Sequence, residues 1–326
     1  MQTLSQSQFE AALQAAEDAD ASPEERAEML MEIAMGLQSQ PRSVQQLHDA
    51  VDLYERALAL APAQAVLLKA RITARMGTAL QALPHSGDDN DDAQVLERAL
   101  QCFQRAIDTL QQQGLAEEVA EAELNQGLVH QSLCSLGRGR ITDAINAYLR
   151  ALRTFTREAW PQEYSVLHNN LAIAYLSMPA TDERARIREA LAVQSFEEVL
   201  KVINLIDHPS EYAMINNNLG NALQYASSSH VLENNLRALA AYDEALRVRN
   251  PRDTPLEYAN TIANKANVLR ALVAEDGGAD PLTEALVLVN EAQALFLQHG
   301  DSHKAALMQE VAREIRDEST TRKGQP

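Results

Sequence analysis

The sequence predicts an all-α protein, an α-solenoid of stacked antiparallel helical hairpins, and three observations carry that reading. Hydrophobic residues make up 46% of the 326 residues but aromatics only 4%, with Ala, Leu, Glu and Gln prominent. Those are strong helix formers and poor strand material. The 12 Gly and 11 Pro are few and fall at intervals, as punctuation between helices does. Most tellingly, the chain repeats itself. Pro161-Gln-Glu-Tyr-Ser-Val-Leu-His-Asn-Asn-Leu-Ala172 returns as Pro209-Ser-Glu-Tyr-Ala-Met-Ile-Asn-Asn-Asn-Leu-Gly220 and again from Pro255 to Ala266.

Extending the register gives small residues at Ala34, Gly77, Gly127, Ala172, Gly220, Ala266 and Ala312, spaced by 43, 50, 45, 48, 46 and 46 residues. Each marks a helix A. Between them lies a second signature: Ala, then a large apolar residue four positions on, then a small or apolar one three further. It reads Ala50/Tyr54/Ala57, Ala99/Phe103/Ala106, Ala144/Tyr148/Ala151, Ala192/Phe196/Val199, Ala238/Tyr242/Ala245 and Ala285/Val289/Ala292. That spacing puts the three on one helical face, with the small residues admitting a close neighbour. Each marks a helix B.

Helix starts agree with this division. Ser22-Pro23-Glu24-Glu25 and Thr254-Pro255-Leu256-Glu257 each place a capping hydroxyl, Pro at the first helical position and Glu at the third. Glu163 and Glu211 occupy the same favourable slot at the positive end of the helix dipole. The A–B linkers carry the breakers: residues 84–92, 137–140, 179–182 and 276–281. The expected organisation is an N-terminal helix or cap over 1–21, opened by Ser7-x-x-Glu10, a repeat array over 22–316, and a polar frayed tail over 317–326. The array holds six helix pairs and a terminal helix A.

Charge narrows the partners. Forty-six acidic against 28 basic residues give a net charge of −18, which disfavours phosphate-tracking nucleic-acid binding and anionic membrane surfaces. No apolar run approaches the ~18 residues of a membrane span, and the N-terminus lacks the basic and apolar regions of a signal peptide. A cytoplasmic location is the expectation. Oligomeric state is open.

The two signatures together resemble the tetratricopeptide repeat (TPR) family: a small residue after Leu on helix A, then Ala, an aromatic and Ala on helix B. The resemblance covers residues 22–316. Family repeats are about 34 residues; the excess here lies in the A–B linkers, as in a long-linker bacterial subgroup. The resemblance implies a right-handed superhelix whose A helices line a concave groove, with groove-facing residues six, three and two before the small residue and one and four after it. Those slots form a polar ladder in the C-terminal half: Asn169, Asn170, Asn217, Asn218, Asn221, Gln224, Asn260, Asn264, Asn267 and Arg270. In the N-terminal half they hold Met31, Met35, Leu124 and Leu128, with Arg71 and Arg75 between.

Asparagine is a poor helix-interior residue, so its repeated use on one stripe asks for a reason. The functional reading is that these amides hold the backbone of an extended peptide, each offering one acceptor and two donors. The bland alternative is that some of them, Asn170, Asn218 and Asn264 above all, bond between adjacent helices. The slots three before the small residue are Met31, Ala74, Leu124, Asn169, Asn217, Ala263 and Gln309. None is basic, so the resemblance does not extend to the family members that clamp an acidic chaperone tail.

Catalytic chemistry is not apparent. The eight histidines are scattered over different hairpins, and Gly300-Asp301 interrupts the helix that would align His299 with His303. Cys102 and Cys134 read as small buried hydrophobes. Asp88-Asp-Asn-Asp-Asp92 lacks the Gly and Glu of a calcium loop and reads as solvated linker. Gly137-Arg-Gly-Arg140 reads as a helix C-cap, and Trp160 as a staple between hairpins. No metal and no cofactor are expected. The favoured function is a non-enzymatic scaffold for a protein or extended peptide, the alternatives being a ligand- or peptide-sensing regulator and an assembly or chaperone factor.

Overall fold

A computed structural model describes Gln14 and residues 21–178, 184–226, 230–272 and 280–323. The helix expected before residue 22 and most of the linkers at 179–182 and 276–281 lie outside these residues. Thirteen helices and no strand are found among the described residues. In chain order they are α1 (Pro23–Ser39), α2 (Val44–Leu60), α3 (Val66–Gln81), α4 (Asp89–Gln113), α5 (Ala116–Ser135), α6 (Ile141–Ala151) and α7 (Pro161–Leu176). There follow α8 (Ala185–Val199), α9 (Pro209–Tyr225), α10 (Val231–Leu246), α11 (Pro255–Arg270), α12 (Pro281–Gln298) and α13 (Ser302–Lys323). Every small residue of the repeat falls on an odd-numbered helix, and every Ala/large/Ala face on an even-numbered one. The fold is an all-α array of helical hairpins.

Two compact units divide the chain, residues 1–170 and 171–326, the boundary falling within α7. Inside each unit, packing joins helices that follow one another, with lesser contact between alternate helices such as α1 and α3, α3 and α5, or α9 and α11. That nearest-neighbour order is what a repeat array of hairpins produces. In the first unit the core runs from Ala27 and Leu30 through Tyr54, Ile72 and Phe103 to Leu133. In the second, one cluster gathers around Phe196 and Tyr242 and another around Val289 and Phe296.

The complementarity within a hairpin explains the register. Tyr54, Phe103, Tyr148, Phe196, Tyr242 and Val289 are all buried, as are Ala34, Ala172, Ala266 and Ala312. At Gly220, an added Cβ would come within 2.6 Å of the Tyr242 ring, and at Gly127 it would collide with Tyr148. Glycine is required there by the close approach of helix A to the aromatic ring of helix B.

Local chemistry sets the ends. Ser22 and Glu25 close a reciprocal capping box, Ser22 N–H donating to Oε2 at 2.8 Å and Glu25 N–H to Oγ at 3.2 Å. Gly137, at φ +70°, ends α5: its N–H donates to Cys134 O (3.0 Å), and Arg138 N–H donates to Leu133 O (2.7 Å). This is a Schellman cap. Trp160 stacks edge-on against Phe155, ring centroids 5.5 Å apart. Cys102 is buried, which pushes its thiol pKa up, whereas Cys134 is half-buried.

Three expectations are corrected. Thr254 precedes α11 but does not cap it; its Oγ1 accepts Asn250 N–H at 3.0 Å, tying off the loop before the helix instead. The acidic run at 88–92 is a helix start and not a solvated loop. Asp88 accepts from Asn90 N–H (2.8 Å) and Asp91 N–H (3.3 Å), and the following acids sit at the positive end of α4. Asp92 is only 8% exposed, taking Ser86 N–H at 2.7 Å and facing His85 Nδ1 at 3.1 Å. Finally, residues 317–323, read as a frayed tail, continue α13.

Candidate functional site

In the first unit, the A helices α1, α3 and α5 border a cleft of about 280 Å³. Met31 and Met35 from α1, Ala74 from α3 and Ala122 from α5 give it an apolar floor, and Phe103 contributes from α4. Arg71 and Arg75, one helical turn apart on α3, cross to α5. Arg71 donates from Nε to Glu118 Oε1 (2.6 Å) and from Nη2 to Oε2 (3.3 Å); Arg75 donates from Nη1 to Glu121 Oε1 (2.7 Å). The first pair is bidentate. Glu118 is doubly committed, since it also accepts Leu115 N–H at 2.8 Å at the start of α5. Partial burial opposes its charge, but Arg71 and the Leu115 amide prevail and hold its pKa below the usual carboxylate range. The arginines are therefore neutralised by α5, while Met31, Met35, Thr78 and Asn125 remain to meet a partner.

In the second unit, α9 and α11 bring the amide ladder together. Asn217 Oδ1 accepts from Asn264 Nδ2 at 3.4 Å and lies 3.2 Å from Thr261 Oγ1, whose one proton also has Glu257 O at 2.9 Å. Asn260 donates to Leu256 O one turn back (2.7 Å) and accepts from Lys304 Nζ on α13 (3.2 Å). The Tyr242 hydroxyl lies 2.7 Å from Asn221 Oδ1 and 3.0 Å from Gln224 Oε1 and, having one proton, donates to one of them at a time. Arg270 ion-pairs with Glu314 and Glu318 of α13, which hold its pKa up. Asn218 and Asn267 are half-buried and make no side-chain hydrogen bond among the described residues. Asn169 and Asn170 belong to the first unit; Oδ1 of Asn169 is buried without a donor. No group of three or more His, Cys, Asp or Glu among the described residues is placed to hold a metal ion.

No protein-family model matches the chain, and no curated protein sequence matches it. Solved structures do. The apo form of the quorum sensor NprR from B. thuringiensis is similar with a TM-score of 0.60 at 17% identity, over 95% of this chain and 76% of its own. BtubC from P. vanneervenii gives a TM-score of 0.50 at 20% identity, over 78% of this chain and 97% of its own. The fold is TPR-like.

In the TPR-like register, one relationship escapes a position-by-position reading of the sequence. The residue four after the small one on helix A is Gln38, Gln131 or Gln224 wherever helix B carries Tyr, and Oε1 of each faces that hydroxyl at 2.8 to 3.0 Å. Where helix B carries Phe196, the slot is Leu176. The signal was present as a pairing between residues 16 to 18 apart. Thr261 and Arg249 were also missed. Arg249, just beyond α10, donates from Nη1 to Thr261 Oγ1 at 2.8 Å.

Proposed function

We propose that this TPR-like chain is a non-enzymatic, cytoplasmic protein that binds a protein or extended peptide on the exposed face of its A helices. The observation that carries the reading is the cleft across α1, α3 and α5, where a flexible methionine floor lies beside charged and amide groups. Methionine adapts to varied apolar side chains, and the amides satisfy a backbone without demanding a sequence. Candidate contacts are Arg71, Arg75, Asn169, Asn217, Asn221, Gln224, Asn260, Asn264, Asn267 and Arg270. The net charge of −18 speaks against nucleic acid as the partner, and no described helix is long and apolar enough to cross a membrane.

A sensing role is the second reading, and the likeness in fold to a quorum sensor favours it over an assembly role. Pull-down from native cytosol with mass spectrometry, comparing the intact chain with Met35→Glu, tests binding. A partner retained by the former and lost by the latter, with the variant folded by circular dichroism, supports the cleft. Equal retention removes it. A ligand-induced rise in Tm with a small peptide separates sensor from scaffold.

A further inference from the structure

Seven residues after the large residue of helix B lies one equivalent position in each hairpin. In five hairpins the side chain there is apolar and buried: Ala61, Leu110, Phe155, Ile203 and Phe296. In the remaining one it is Arg249. Its contact, Thr261, is also out of character: five before the small residue, four other A helices place buried Ile72, Ala122, Leu167 and Ile215. Thr261 is fully buried; its Oγ1 accepts from Arg249 and has one proton to share between Glu257 O (2.9 Å) and Asn217 Oδ1 (3.2 Å), the latter also taking Asn264. A polar seam thus joins the end of α10 to α11, where the equivalent positions of other hairpins are apolar and buried, and leads to two groove-slot amides.

The guanidinium in that seam donates to a neutral hydroxyl and makes no ion pair among the described residues. Arg71, Arg75 and Arg270 each pair with a carboxylate of a neighbouring helix A, whereas Arg249 has no carboxylate within ion-pairing distance among the described residues. Burial pushes its pKa down, and Glu257 opposes this only through space. A partly desolvated charge without an ion-pair partner is costly, and residues that break a local rule without compensation mark functional sites. We infer that Arg249, with Asn217 and Asn264 linked to it through Thr261, forms a subsite for a carboxylate of the bound peptide, either a chain terminus or an acidic side chain. Planar guanidinium suits bidentate carboxylate recognition, and the neutral amides supply further donors without competing charge.

This inference rests on the peptide-binding reading, and the test separates the two. Peptide pools of matched composition are compared for binding to the full chain: free acid against C-terminal amide, and Glu-bearing against Gln-bearing. Wild type is expected to favour the charged member of one pair by about tenfold or more; the acid/amide pair reports a terminus and the Glu/Gln pair a side chain. Arg249→Leu should lose that preference while its unliganded Tm equals or exceeds that of wild type, because Leu restores the apolar character of this position in the other hairpins. Arg249→Lys should retain part of the preference. Equal binding of both members by wild type overturns the subsite and leaves peptide binding standing, and so does a preference that survives in Arg249→Leu. A lowered Tm in unliganded Arg249→Leu also overturns it, by showing Arg249 to be structural. If no pool binds but N-acetylglutamate raises the Tm of wild type and not of Arg249→Leu, the subsite stands and the peptide reading falls. If neither binds, both fall.

Discussion

The Tyr148 hydroxyl donates to Oε1 of Gln131 at 3.0 Å, and its ring lies over Gly127, one helical turn before that glutamine. One aromatic side chain thus fixes both the packing distance and the polar satisfaction of its hairpin.

Gly127→Ala should destabilise the protein. Alanine is the better helix former by about 1 kcal/mol, but its Cβ would collide with the Tyr148 ring, and overpacking costs roughly 1–3 kcal/mol. A net loss of about 1 kcal/mol in urea unfolding is expected. Gly36→Ala is the control, because nothing lies within 4 Å of a Cβ there; it should gain about 0.5 kcal/mol. Equal effects at both sites would show that propensity and not packing decides.

Phe103→Tyr should stabilise. Gln81, four after Gly77, has a buried Oε1 without a donor, the counterpart of oxygens that tyrosine satisfies in three other hairpins. Supplying the hydroxyl should gain about 0.5–1.5 kcal/mol, whereas Tyr148→Phe should lose about 1–2 by orphaning Gln131. Thermal melts of the two variants moving in the same direction would refute the pairing.

Asn221 and Asn267 should behave differently when replaced by Ala. Asn221 meets the Tyr242 hydroxyl, which keeps Gln224 as a second acceptor, so its loss should lower stability by about 0.5 kcal/mol, the low end for one hydrogen bond. Asn267 makes no such bond among the described residues, and its loss should leave stability unchanged or slightly raised. Weakened peptide binding by folded Asn267→Ala, insensitive to salt, is the expected mark of a backbone-holding amide. Unchanged affinity would remove Asn267 from the site.

Alkaline pH should unfold the protein cooperatively with tyrosine ionisation. Burial raises the pKa of Tyr54, Tyr148 and Tyr242 above the ordinary value near 10. A raised folded-state pKa gives stability that is present below about pH 10 and lost as pH rises beyond it, because the unfolded chain releases those protons first. Tyrosinate absorbance and circular dichroism followed together should show these three titrating with the loss of helix. Full titration of all 8 tyrosines in a still-helical protein would contradict their burial.

The sequence by itself determined the hairpin register, because the information is local: three side chains on one helical face, a small residue one helix earlier, and breakers between. Each small residue and each large one therefore lies on the helix expected of it. Tertiary structure decided which polar side chains are already engaged. Arg71 meets Glu118, 47 residues on, Arg270 meets Glu318, 48 residues on, and Asn217 meets Asn264, 47 residues on. Alternate helices of the array set those partners side by side, so no local pattern distinguishes an amide that waits for a ligand from one that joins two helices. The same holds at residue 249, where only the burial of five equivalent side chains shows that an arginine is out of place. A charge is legible in a sequence; whether a counter-charge reaches it depends on the packing of helices a whole repeat apart.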